Sequence, residues 1–301
     1  MRASCCMLLL CLLALACPAG AEGPRPGADR ILTSGPYTVR VREGNMSTGG
    51  GFARISRNGR VLVTLREAVI YRAEIRPLLG PDSADLIVET WTGGTHYRFV
   101  LYLMHLGERL RPLLTFSIDN AVVFDFRDLD HDGRQEFITW DDSFAYFDAL
   151  GLADAPFIPF VFHYEHGRYR EATARFRWLV VADQEKARGE LLEAVRRPIP
   201  GPEADEDKRS YEAFVREGDI RRAAVHIYAE GVLLGESKQV ERWLRAHLPP
   251  ENWSRFAPLR RDIRLTVLNR GHKITYRLRP APYYTPYWME RQARARREEG
   301  V

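Results

Sequence analysis

Residues 122–140 read VVFDFRDLDHDGRQEFITW, and this stretch decides the fold. At its centre Asp128-Leu129-Asp130-His131-Asp132-Gly133-Arg134-Gln135-Glu136 sets carboxylates on alternate positions, then a glycine and a closing glutamate. A hard cation such as Ca2+ takes roughly six to eight oxygen ligands, and carboxylates on alternate residues of a tight loop converge on one point. Gly133 permits the sharp turn, the Arg134 carbonyl is placed to supply a neutral oxygen, and Glu136 closes the far side. In an EF-hand the twelfth position would be glutamate, whereas here it is Thr139. The flanks, with Val122, Phe124 and Phe126 before the loop and Phe137 and Trp140 after it, read as strands. The expected centre is therefore a strand–loop–strand Ca2+ site held by Asp128, Asp130, Asp132, Arg134 and Glu136. Asp141 and Asp142, at the end of the second strand, either complete the shell or face water. His131 is expected to be exposed, because imidazole is a soft partner for Ca2+.

The β-pattern extends upstream. Residues 37–42 alternate, and 52–56 and 60–65 flank Asn58-Gly59, a dipeptide that favours a two-residue hairpin turn. Further strands are expected over 85–89, 97–104, 113–118, 121–126, 136–140, 157–163 and 168–171. A weak internal repeat sets Asp82 and Asp85-Leu86-Ile87-Val88 beside Asp132 and Glu136-Phe137-Ile138-Thr139. Pro81-Asp82-Ser83 lacks the other carboxylates, so only one loop is expected to bind metal.

Past Trp178 the pattern turns helical. Residues 183–196 form a helix that Pro198-Ile199-Pro200-Gly201-Pro202 ends. Tyr211, Phe214, Val215, Ala223, Ala224, Ile227 and Tyr228 recur at three and four, as do Val240, Trp243, Leu244, His247 and Leu248 after Gly235, which predicts a helical hairpin. Residues 262–268 and 273–279 are expected as a last strand pair around Arg270-Gly271. The expected class is α+β: a mobile leader over 22–35, an antiparallel β-domain of propeller-blade-like units over 36–177, a mainly helical region over 178–279, and an aromatic, proline-rich segment and charged tail over 280–301. The β-region is too short for a full seven-bladed propeller.

Composition narrows the functional classes. The chain has 301 residues, 44 Lys plus Arg against 40 Asp plus Glu, and a formal net charge of +4, which argues against an acidic disordered coat or a basic nucleic-acid arm. All the basic residues except Lys186, Lys208, Lys238 and Lys273 are arginine, a bias of genome composition to which no function is attached. At the N-terminus Arg2 precedes an apolar run over 5–16, and Ala19-Gly20-Ala21 presents small residues to a signal peptidase. That predicts a signal peptide over 1–21, cleavage before Glu22 and a periplasmic or secreted protein. The alternative is a lipoprotein anchored at Cys17. Neither this run nor any later one is long enough to span a membrane. Cys5, Cys6, Cys11 and Cys17 are the only cysteines, so a chain cut at Glu22 has no disulfide, thiolate nucleophile or Cys-ligated zinc.

Residues 123–146, VFDFRDLDHDGRQEFITWDDSFAY, resemble the FG-GAP/VCBS-type repeat, in which such an acidic loop joins two strands of a propeller-like blade. More narrowly the chain resembles a bacterial exported family with one such loop, an upstream Gly-Gly-Ala-His-Cys-Cys segment and a short helical C-terminal part. The counterpart here, Gly93-Gly94-Thr95-His96-Tyr97-Arg98, departs where that family has paired cysteines, so no disulfide or thiol role carries over. The likeness covers about 85–175 well and the later AAVHIYAEGVLLG stretch loosely. It implies a blade-like fold and a Ca2+ loop, and no activity.

Other constellations fall short of chemistry. His96 is the best candidate base by residue type, yet no catalytic spacing accompanies it. His163 and His166 do not share a strand face, so zinc is discounted. Gly49-Gly50-Gly51 lacks the Lys-Ser/Thr of a phosphate loop. Tyr283, Tyr284, Tyr287 and Trp288 form either a binding strip or a segment packed back on the body. The expected function is a non-enzymatic binding or structural protein with a Ca2+-stabilised β-domain, whose partner is a protein or glycan of the cell envelope and not nucleic acid. The alternative is an envelope-polymer hydrolase using His96 with Asp141 and Asp142.

Overall fold

The computed structural model describes residues 29–91, 98–119, 124–279 and Met289. The signal segment with its cysteines, the Gly93–Tyr97 stretch with His96, residues 121–123 and the aromatic strip Tyr283–Trp288 lie outside the described residues.

Three antiparallel sheets follow one another along the chain. The first runs β1 (Arg30–Ser34), β2 (Tyr37–Arg42), β3 (Gly51–Arg57) and β4 (Arg60–Glu67) in that order. The second runs β5 (Val69–Arg76), β6 (Asp85–Trp91), β7 (Phe99–Leu106) and β8 (Leu110–Ile118), and the two-residue β13 (Ile274–Thr275) is added beside β8. The third runs β9 (Asp125–Arg127), β10 (Glu136–Asp141), β11 (Ile158–Glu165) and β12 (Arg168–Glu171). Each is a four-stranded meander, and none closes on itself among the described residues. Asn58 and Gly59 make the two-residue turn between paired Arg57 and Arg60, both at positive φ, 49° and 77°. That conformation matches the twist of the flanking strands, and glycine adopts it without steric cost.

Side-chain alternation stacks the sheets face to face. Leu86, Val88, Val100, Tyr102 and Met104 on one face of the second sheet share an apolar cluster with Tyr37, Val39, Val41, Ala53 and Ile55 of the first. Ile87, Leu101, Leu103, Leu114 and Phe116 on its other face join Phe126, Phe137, Phe160, Phe162 and Tyr169 of the third. Phe116 sits edge-on to Phe137, Phe160 and Phe162 at ring-centre distances of 5.7, 5.6 and 5.5 Å, a favoured arrangement for aromatic pairs.

The outer face of the third sheet, Ile138 and Val161, is covered by Phe176 and Leu179 at the start of the helical layer. Five α-helices lie among the described residues: α1 (Arg177–Arg196), α2 (Glu206–Leu233), α3 (Ser237–His247), α4 (Pro250–Phe256) and α5 (Arg260–Asn269). Helix α1 ends where Arg197 turns extended ahead of the proline run, and Arg216 donates to the Ala194 and Val195 carbonyls at that end. Asp205 caps α2 by accepting the N–H of Asp207 at 2.9 Å and of Lys208 at 3.4 Å. Helices α2 and α3 are the two expected around Gly235, and the α2 face from Ile220 to Tyr228 packs into the helical core.

Four expectations are corrected. Arg30–Ser34, within the leader expected to be mobile, is strand β1, paired along its length with β2. Val69–Arg76 forms a strand the alternation did not show, because a bulge between Ile70 and Arg72 breaks its period. Residues 262–268 are helical: Ile263, Leu265 and Val267 alternate as in a strand, but it is Ile263, Thr266 and Val267, at helical spacing, that are buried. Of 273–279, expected to pair with 262–268, only Ile274–Thr275 is strand, and it pairs with β8. Tyr211 and Phe214 lie on α2 as expected, 66% and 74% exposed, since the first turns of α2 run beyond the core.

The chain returns to the sheets through buried charge. Lys273 Nζ lies 2.8 Å from Asp141 Oδ1 and also bonds Asp142, and all three side chains are buried. Just before it, Arg270 donates to the Pro159 carbonyl at 3.0 Å and Thr173 Oγ1 at 2.9 Å, with its guanidinium 4.2 Å from the Phe160 ring centre. Burial works against the charge on Asp141, but Lys273 and Arg270 outweigh it and hold the carboxyl below the usual carboxylate range. Burial likewise opposes the charge on Lys273, and Asp141 and Asp142 outweigh it and hold the ammonium above the ordinary lysine value. Asp141 thus adds stability at neutral pH that disappears as pH falls through its lowered pKa, while the Lys273 contribution disappears only as pH rises above the lysine range. Lys273→Met takes the buried ammonium away from two buried carboxylates, and in urea unfolding at pH 7 it should cost about 3–5 kcal/mol. The gap to wild type should narrow toward pH 3 as Asp141 protonates. A loss under about 1 kcal/mol, or a gap that does not change with pH, would remove this pair from the account of the fold.

Candidate functional site

The acidic loop joins β9 to β10, as the flanking sequence implies, with Glu136 paired to Arg127. Its turn is built from carboxylates. Asp128 accepts the N–H of Asp132 through Oδ1 and of Gly133 through Oδ2, both at 3.1 Å, and Asp132 Oδ1 accepts the Arg134 N–H at 2.8 Å. His131 and Gly133 sit at φ of 60° and 85°, and a Cβ added at Gly133 would meet nothing within 4 Å. Backbone conformation, not space, is what requires glycine there. His131 is exposed, as expected.

Three of the five expected ligating residues come together: one carboxylate oxygen each from Asp128, Asp130 and Glu136 lie within 4.8 Å of one another. Asp132 groups with Asp130 and His163. Arg134 serves the loop through its backbone N–H, while its guanidinium lies 5.5 Å from the Tyr164 ring centre.

The acids play unequal parts. Glu136 is fully buried, and both its oxygens are engaged: Oε2 accepts the Leu129 N–H at 2.7 Å, and Oε1 lies 2.9 Å from His163 Nδ1. Burial pushes the Glu136 carboxyl above its ordinary value, the bonds from His163 and Leu129 pull it back, and the nearby Asp130 charge pushes it up again. Asp130 is the reverse. Its Oδ2 takes the Arg175 guanidinium at 2.6 Å and has His163 Nδ1 at 3.8 Å, but its buried Oδ1 accepts no hydrogen bond. A buried carboxylate oxygen without a donor costs free energy that a cation would offset. The donor set fits a hard divalent ion: carboxylates on a loop already wound to the turn it needs. Arg175 is half exposed, so its guanidinium can leave Asp130 for solvent as a cation arrives.

His163 and Arg175 were not found from sequence. His163 was set aside because it cannot share a face with His166. In the structure its partner is across the hairpin, since pairing of Phe137 with Phe162 sets His163 opposite Glu136. His166 instead occupies the β11–β12 turn at φ 48°. Asp141 and Asp142, expected either in the metal shell or facing water, do neither, because both are buried on Lys273.

The same arrangement recurs one sheet earlier. Asp85 begins β6 as Glu136 begins β10. It accepts the Leu78 and Leu79 N–H groups at 3.0 and 3.1 Å from the preceding loop and lies 2.8 Å from His105 Nδ1 on the next strand. The weak sequence repeat thus has a structural counterpart, an acid holding the loop before it and a histidine beside it. The two loops meet where Gln135 donates its N–H to the Leu78 carbonyl at 2.8 Å. No protein-family model, curated protein or solved structure matches the chain.

Glu136 should therefore matter without metal and Asp130 only with it. In chelator, Glu136→Gln is expected to lower unfolding stability by about 1–3 kcal/mol, because it weakens two buried bonds. Asp130→Asn should change it by less than about 0.5 kcal/mol. Equal losses for the two variants in chelator would contradict this division of roles.

Proposed function

We infer that this protein is an exported, non-enzymatic binding or structural protein whose third sheet is pinned by Ca2+ in the loop from Asp128 to Glu136. The observation that carries the metal is the buried Asp130 Oδ1, which accepts no hydrogen bond in a loop where Asp128, Asp130 and Glu136 converge. Export rests on Arg2, the apolar run over 5–16 and Ala19-Gly20-Ala21. Among the described residues no helix is long and apolar enough to cross a membrane. The likeness to FG-GAP/VCBS blades is supported by three successive four-stranded meanders stacked face to face and by the recurring acid–histidine pair. The partner is proposed to be a protein or glycan of the cell envelope. An enzymatic reading that uses Asp141 and Asp142 is disfavoured, because both acids are buried on Lys273 and away from any substrate.

An ion that binds only the folded chain stabilises it by RT ln(1 + [L]/Kd), about 2.7 kcal/mol at a hundredfold excess over Kd. With a Kd of about 10⁻⁴ to 10⁻³ M, as in extracellular modules, tens of millimolar Ca2+ reaches that range. Calorimetric melting in Ca2+ against chelator should then differ by about 4–5 °C for a chain of this size. Asp128→Ala, Asp130→Ala and Asp132→Ala should each abolish the difference, as should Gly133→Val, whereas His131→Ala should retain it. A wild-type melt that ignores Ca2+, or aspartate variants that keep the response, would sink the proposal.

A further inference from the structure

The helical layer holds a second group of metal-ligating side chains, far along the chain from the acidic loop. His226 and Glu230 lie one turn apart on α2, a spacing that sets both on one helix face. Asp183 faces them from α1. His226 Nε2 is 3.1 Å from Asp183 Oδ2 and 3.5 Å from Glu230 Oε1, and one ligand atom from each residue lies within 4.8 Å of the others. Ligand atoms about 2.0–2.1 Å from a tetrahedral Zn2+ stand about 3.3–3.4 Å apart, so the two separations from His226 already suit such an ion.

The independent sign of a missing ligand is Glu230. Its side chain is fully buried, yet neither carboxylate oxygen accepts a hydrogen bond. The helix around it is apolar: Ala223, Ala224, Ile227 and Ala229 are all packed in the helical core. A buried carboxylate without donors is costly and is ordinarily paired or coordinated. His226 Nε2 forms an ion pair with Oε1 at 3.5 Å that offsets part of that cost, but no hydrogen bond reaches either oxygen.

We propose that Asp183, His226 and Glu230 form a second metal site, selective for a borderline divalent ion such as Zn2+ over Ca2+. Imidazole nitrogen suits such ions, whereas the loop offers mainly oxygen to a hard one. Three protein ligands leave a coordination position for water. Access is available from one side: Asp183 also lines a solvent-open groove of about 810 Å³ whose walls include Trp140, Trp178, Leu179 and Ala182. The competing description is a metal-free cluster in which a protonated His226 balances two carboxylates.

Calorimetric titration of the purified protein with Zn2+, in millimolar Ca2+ to occupy the loop, distinguishes the two. One Zn2+ should bind per chain, and Zn2+ should raise the melting temperature. Glu230→Gln and Asp183→Asn should each weaken binding on the order of 100-fold or more, since even groups behind the ligands are worth about 10–100-fold. Asp183, partly exposed at the groove, serves as the deciding variant if Glu230→Gln fails to fold. Asp130→Asn, which disables the loop, should leave Zn2+ binding intact, so failure of the Ca2+ proposal and failure of this one are separable. No Zn2+ binding by the wild type, unchanged binding by Asp183→Asn, or loss of Zn2+ in Asp130→Asn would overturn the assignment.

Discussion

The second sheet is buried on both faces, and the rest of the molecule depends on that constraint. Leu86, Ile87 and Val88 are consecutive and all inaccessible, as are Val100, Leu101, Tyr102, Leu103 and Met104. A strand covered on both sides needs apolar residues without interruption, whereas one covered on a single side alternates. β2, whose outer face is open to solvent, does alternate strictly, buried and exposed. The middle sheet therefore fixes the register of both neighbours: a slip of one residue would exchange the side chains offered to the first sheet with those offered to the third. From Glu22 onward the sequence has no cysteine, so this burial has no covalent support.

The stack also explains how the acidic loop is placed. The third sheet is sandwiched between Phe116 of the second and Phe176 of the helical layer, so β10 and β11 have no latitude. Glu136 and His163 are clamped at the start of that pair, and the loop is hung from Glu136 through the Leu129 N–H. Asp130, beyond the clamp, is left with one buried oxygen without a donor. Rigid support on one side and an unfilled acceptor on the other are what a cation site on a small sheet requires. In the second sheet Asp85 and His105 make the same clamp, but Ser83 Oγ fills Asp85 Oδ2 at 2.6 Å and the loop carries only one further carboxylate, Asp82, so the turn lacks the converging acids of the later loop.

What could be read from sequence was whatever is encoded locally. The Asn58-Gly59 turn, the Asp128–Glu136 loop and the helix stop at Pro198 each depend on a few adjacent residues with restricted backbone choices. Strand β1 could not be read that way, since Ile31 is exposed and the strand is held by backbone pairing with β2, not by a buried face. Residues 263–267 satisfy both the strand period and the helix period, and only tertiary burial selects one. Lys273 with Asp141, and His163 with Glu136, are contacts across the fold that no local pattern reports. His226 and Glu230 were not singled out from sequence, because Asp183, which completes the group, comes from another helix.

Native-state hydrogen exchange tests the central claim most directly. If the doubly buried sheet carries the structure, amides of β6, β7 and β8 should exchange only through global unfolding and be the slowest in the protein. Chelating Ca2+ should speed exchange in β9 and β10 while leaving β6–β8 the most protected. Faster exchange in β6–β8 than in the first sheet, or protection there that falls with chelation before the loop strands respond, would contradict the stacked arrangement.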